Sequence, residues 1–246
     1  MIHIWCEDSV NSAFVQFLSF LKYFKVSDKI AYAEIKGFDG NKKLCEYVEG
    51  YSYNKFDKYI IFFDNVWDNN SVLKYAKRID KVCKRYNNVV RIELLSFEYL
   101  ILKFKYIINW TSPIKNTKIY NKAQLARADF ISCTENSIDW RKKDNIVQFI
   151  VDRKNLNIKN NQIYSILANI SAENVCTDIL SALTNVGPTD FGITKTRLGK
   201  CWINSCCFKF DKKVGNEKCR LYKYEKTSED KAMNLWNCTD IHKFIK

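Results

Sequence analysis

The chain has 246 residues, 47% of them apolar, with 16 Phe, 14 Tyr and 6 Trp, which suffices for one large core or two small ones and excludes intrinsic disorder. Only 7 Gly and 2 Pro exclude collagen-like and linker sequences, and no window approaches the roughly 18 uncharged residues of a membrane helix. The 40 basic side chains outnumber the 27 acidic ones to give a formal charge of +13, which serves solubility through solvated faces and is also the footprint expected of a polyanion binder.

Ile2–Cys6 reads as a buried strand, and Ser9 or Asn11 can cap a helix whose Phe14, Phe17, Leu18 and Leu21 share one face. Residues 29–36 read as a second strand, followed by the turn Gly37-Phe38-Asp39-Gly40 and a short helix over 41–49. Residues 59–63 form the most apolar run, which ends at Asp64. Asn69 or Ser71 then opens a helix through Arg85, with Val72, Tyr75, Ala76, Ile79 and Val82 at helical spacing. A fourth strand over 89–95 and a helix from Phe97 complete the first half.

Strands alternating with helices imply parallel βαβ units, a Rossmann-like, mostly parallel sheet flanked by helices over residues 1–109. All strands of such a sheet end on one edge, where ligands bind. Glu7, Asp8, Asp39, Asp64, Asp68 and Glu98 follow strand ends and should meet there. Converging carboxylates repel unless protons or a divalent cation neutralise them, and Mg²⁺ or Mn²⁺ takes oxygen ligands. The plainer reading is that acids after strands cap the next helix, which suits Asp8 and Asp68 better than Glu7 and Asp64.

The motifs Ile4-Trp5-Cys6-Glu7, Gly37-Phe38-Asp39-Gly40 and Ile60-Ile61-Phe62-Phe63-Asp64 make residues 1–105 resemble the TOPRIM fold of topoisomerases, primases and the nucleases of OLD-type phage-defence systems. The resemblance implies a Mg²⁺-dependent nuclease in which Glu7 serves acid–base or metal chemistry and Asp64 holds the cation. It also implies an antiphage effector with a regulatory ATPase partner. The family's second aspartate falls at Val66, so either Asp68 substitutes one turn on or the site has lost a metal. Asp39 and Glu98 would stand behind those three. Receiver domains of two-component signalling offer another match, with Glu7, Asp8, Asp64 and Ser96, but the Met-Pro and Lys-Pro pairs of that family are missing.

Residues 110–246 carry 23 basic and 14 acidic side chains against 17 and 13 before them, and are expected to form a basic α+β region. Helices are expected at 121–130 and through 162–186, while 144–153 is ambiguous. Between 195 and 226, Lys200, Lys209, Lys212, Lys213, Arg220 and Lys223 interleave with Trp202 and other aromatics, a pattern suited to phosphates and stacked bases or to a solvated face of ordinary strands. Cys201, Cys206 or Cys207, Cys238 and His242 could hold structural zinc, although no Cys-x-x-Cys pair occurs and buried free thiols are the commoner state. Acids at positions 7 and 8 speak against an export signal, so the 10 cysteines are expected as cytoplasmic thiols. The expected function is a metal-dependent endonuclease; the alternative is a non-catalytic adaptor for nucleic acid or protein.

Overall fold

The computed structural model describes residues 1–10, 12–64, 70–103, 118–156, 163–184 and 228–246. The first half is α/β. Strands β1 (Ile2–Cys6), β2 (Glu34–Gly37), β3 (Lys58–Asp64) and β4 (Val89–Leu94) form one all-parallel sheet in the order β2-β1-β3-β4. Helices α1 (Ala13–Tyr23), α3 (Asn41–Gly50) and α4 (Asn70–Arg85) connect them, with the four-residue helix α2 (Asp28–Ala31) before β2. The chain leaves β1 in one direction and β3 in the other, so right-handed crossovers put helices on both faces. This is a Rossmann-like arrangement.

The period of two along the central strands sorts the core. Trp5, Tyr59, Ile61 and Phe63 pack with Leu44, Cys45 and Val48 of α3 and Val72, Ala76, Ile79 and Val82 of α4. Phe62 faces the other way, its ring 5.2 Å from Phe14 of α1 and 6.2 Å from Phe244. Ile60 through Phe63 are all essentially inaccessible, as a strand covered on both faces requires.

Two expectations need correction here. The strand expected at 29–36 is instead α2 followed by β2, because Ser27-Asp28 starts a helical turn closed by Ala31 N to Ser27 O at 2.9 Å. The cap of α1 is neither Ser9 nor Asn11 but Ser12, whose hydroxyl accepts from Val15 N at 3.2 Å.

The described residues divide into two compact units. The first joins Met1–Phe97 to the C-terminal helices α10 (Ser228–Cys238) and α11 (Ile241–Phe244), which bury Ala232, Leu235, Ile241 and Ile245. The second starts within α5 (Phe97–Lys103) and continues through α6 (Lys118–Glu135), α7 (Asp144–Arg153), α8 (Ile163–Ala168) and α9 (Ala172–Thr184). The helix expected through 162–186 is broken at Asn169–Ser171: Arg141 donates to the carbonyls of Leu167 at 3.1 Å and Ile170 at 3.2 Å, and Ser171 accepts from Asn174 N. All described elements from 118 onward are helices, and the strands expected within 195–226 lie outside the described residues. Among the described residues, no helix is long and apolar enough to cross a membrane.

Candidate functional site

The loops leaving β1 and β3 diverge, so the carboxyl edge opens between these two strands at the point where strand order reverses. The sequence delivers acids to that point. Glu7 and Asp8 leave β1, and Asp64 ends β3. Cys6 is in register with Phe62, so β1 ends two residues short of the level at which Asp64 closes β3. The three carboxylates converge electrostatically on the Cys6 thiol. Burial pushes this thiol well above its ordinary range, and Asp8, Glu7 and Asp64 each push it further.

The acid-bearing loop is held by the glycine turn after β2. Phe38 N donates to Cys6 O at 3.1 Å and to Asp8 O at 2.9 Å, while Gly40 N donates to Glu7 O at 2.6 Å. Three successive carbonyls of the loop are thereby fixed. Gly37 permits the approach: a Cβ there would stand 2.5 Å from Asp8 O and 2.7 Å from both Ser9 C and Val10 N. Asp39 (φ 56°) and Gly40 (φ 117°) then take left-handed backbone to turn into α3. The Asp39 carboxylate is exposed and lies 3.7 Å from Lys43, so its backbone braces the site while its side chain faces solvent.

The remaining candidates are placed differently. Val66 and Asp68 lie outside the described residues. Ser96 is buried just after β4, and Glu98 is buried in the first turn of α5 within the second unit. Among the described residues no three His, Cys, Asp or Glu side chains are grouped to hold a metal ion. A Mg²⁺ ion needs only one or two protein carboxylates, completed by water and substrate phosphate. The hard oxygen donors of Glu7 and Asp64 fit that requirement.

Of the zinc set, Cys201, Cys206 and the Cys238 side chain lie outside the described residues. His242 directs Nδ1 at the carbonyls of Thr239 (2.7 Å) and Trp236 (3.0 Å), so Nδ1 carries the hydrogen and only Nε2 could ligate. The basic set Lys200, Trp202, Lys209, Lys212, Lys213, Arg220 and Lys223 also lies outside the described residues.

One polar cluster was not anticipated. His3 is 6% exposed and stacks on Tyr59 at 4.6 Å; its Nδ1 is 2.6 Å from Glu34 and its Nε2 3.5 Å from Asp57. It sits at the amino end of β1 and fastens β2 to the central strands, at the far edge from the acids. Nothing in the spacing of Glu34 and Asp57 announces the pairing, which depends on strand register. Comparison with family models, with curated proteins and with solved structures returns no match.

Proposed function

We propose that the chain is a divalent-cation-dependent endonuclease acting at the carboxyl edge of its parallel sheet. What supports this reading is that Glu7 and Asp8 leave β1 and Asp64 ends β3 at the strand-order reversal, each close enough to act electrostatically on Cys6, in a protein of charge +13. Like charges gathered at a ligand edge oppose folding unless they serve a bound cation, and a net positive chain favours a polyanionic substrate. Asp64, with Glu7 beside it, would hold Mg²⁺ or Mn²⁺, and Asp68 would join them from the following segment. Such an ion supplies charge stabilisation at the phosphate and a more acidic water.

Glu7 is suited to take the proton of the attacking water, because its main chain is fixed through Gly40 N and the carboxylate therefore starts from a set position. Asp8 adds negative potential that keeps the pair of ligands selective for a cation over an anion. The resemblance to TOPRIM nucleases extends the proposal to an antiphage effector working in the cytoplasm beside an ATPase partner. A second reading, a non-catalytic adaptor, draws on Val66 and on the lack of a three-ligand group among the described residues.

The test incubates purified protein with mixed DNA and RNA in Mg²⁺, Mn²⁺ or EDTA, beside Glu7→Gln and Asp64→Asn. Metal-dependent cleavage that falls about 100-fold or more in each variant is expected, the usual scale for losing an acid–base group. Cleavage indifferent to both substitutions would overturn the assignment. Binding without cleavage in all three proteins would favour the adaptor.

A further inference from the structure

Helix α4 carries six basic residues, Lys74, Lys77, Arg78, Lys81, Lys84 and Arg85, against the single acid Asp80. Its apolar face is spent on the core through Val72, Ala76, Ile79 and Val82. Two of its charged groups are engaged within the fold. Arg78 donates from Nε to Glu49 of α3 at 2.8 Å, and Asp80 receives both ends of Arg91 at 2.7 and 3.1 Å. Lys74, Lys77, Lys81 and Lys84 are exposed, with Arg85 beside them, at spacings of three and four that set them in one stripe. None of these five forms an ion pair among the described residues. The local acids Glu49 and Asp80 are already held by Arg78 and Arg91.

We infer that this stripe is a binding track for the phosphate backbone of nucleic acid. Ten residues from Lys74 to Lys84 rise about 15 Å along the helix. The four aligned lysines can neutralise up to four phosphates, each worth about 0.9 in the log–log salt slope. A basic helix can instead lie on an anionic membrane, but that mode inserts an apolar face, and here that face is buried against β3. The connection also has a direction. α4 follows Asp64 by six residues and must run back from the carboxyl edge to deliver the chain to the parallel strand β4. A backbone lying on the stripe is thus led toward the acids. The inference takes this direction from the nuclease reading, while its binding step needs neither metal nor turnover.

Full-length protein is titrated in EDTA against labelled mixed-sequence duplex DNA across a salt series, with phosphatidylserine vesicles in parallel. The variant Lys74→Gln, Lys77→Gln, Lys81→Gln, Lys84→Gln is compared with a control of equal charge loss, Lys29→Gln, Lys42→Gln, Lys43→Gln, Lys55→Gln. The expected result is that the stripe variant binds at least about tenfold more weakly at ~0.1 M salt and its log–log salt slope falls by about 3 to 4. The control keeps most of both. The two half-variants, Lys74→Gln, Lys77→Gln and Lys81→Gln, Lys84→Gln, each give about half the slope change and guard against a folding defect in the fourfold protein. Equal losses in stripe and control proteins would overturn the inference in favour of bulk charge. Unchanged duplex binding, or stripe-dependent binding to vesicles alone, would overturn it as well. Loss of cleavage with intact stripe-dependent binding would instead count against the nuclease reading only.

Discussion

Gly37→Ala should damage the protein far beyond the single methyl it adds. The new Cβ would lie 2.5 Å from Asp8 O and 2.7 Å from two further atoms, all three of them backbone and unable to swing aside. Ordinary contact requires the β1–α1 loop to retreat by about 1 Å, an overpacking strain of roughly 1–3 kcal/mol. The retreat also weakens the bonds from Phe38 N to Asp8 O and from Gly40 N to Glu7 O, each worth about 0.5–1.5 kcal/mol. The sum is roughly 2–6 kcal/mol, which for a chain of this size lowers Tm by about 4–24 °C. Two other glycines serve as references. Gly40→Ala meets nothing within 4 Å but must hold φ at 117°, a strain of about 1–3 kcal/mol. Gly50→Ala also meets nothing, and as the last residue of α3 it should gain about 0.5–1 kcal/mol. Thermal and urea unfolding of the three variants should rank Gly50→Ala above wild type, then Gly40→Ala, then Gly37→Ala. A Gly37→Ala protein within about 1 °C of wild type would refute the close approach of the two loops.

Three further outcomes are expected. Phe62→Ala, at a site 2% exposed between α1 and Phe244, should lose about 3–5 kcal/mol in urea unfolding; a loss under about 1 would place the residue outside the core. Cys6 should resist iodoacetamide at pH 8 in the folded protein and react once unfolded, because burial and then Asp8, Glu7 and Asp64 disfavour its thiolate; fast labelling in the native state, read by peptide mass spectrometry, would contradict this. The hydrogen bonds from Lys122 and then Gln148 hold the Asp152 carboxyl below its usual range, so its contribution is present above about pH 4 and lost as pH falls through the lowered value. Asp152→Asn should therefore cost up to about 1 kcal/mol at pH 7 and progressively less as pH falls below about 4, and a loss independent of pH over that range would refute the linkage.

Strands β1, β3 and β4 were legible because each is an apolar-rich run bounded by a turn or an acid: Tyr59–Phe63 before Asp64 is the plainest case. That Glu7, Asp8 and Asp64 lie at the carboxyl ends of two neighbouring strands followed from topology alone, since parallel strands end on one edge. What stayed hidden depends on register and on competing local signals. Ile30-Ala31-Tyr32-Ala33 is apolar enough for a strand, yet the Ser27-Asp28 start wins the first half of it for a helix. The break at Asn169–Ser171, where Ser171 accepts from Asn174 N to start the next helix and Arg141 donates to two carbonyls, is one that apolar periodicity along 162–186 does not encode. The bracing of the acid loop by Phe38 and Gly40 needed Gly37 to be seen against Asp8 O in space. The apolar spacing of α4 was legible, but its basic stripe stands out only once the burial of Val72, Ala76, Ile79 and Val82 fixes which face the helix leaves to solvent.

The claim on which the account turns is that the carboxyl-edge acids hold a divalent cation, and Mn²⁺ binding measures it without substrate. Electron paramagnetic resonance of free Mn²⁺ titrated into the wild-type chain, Glu7→Gln and Asp64→Asn should show one site in the wild type. Its Kd should rise at least about tenfold in Asp64→Asn, equivalent to about 1.4 kcal/mol, with a similar rise in Glu7→Gln. Mn²⁺ bound with the same affinity by all three proteins, or by none, would contradict it.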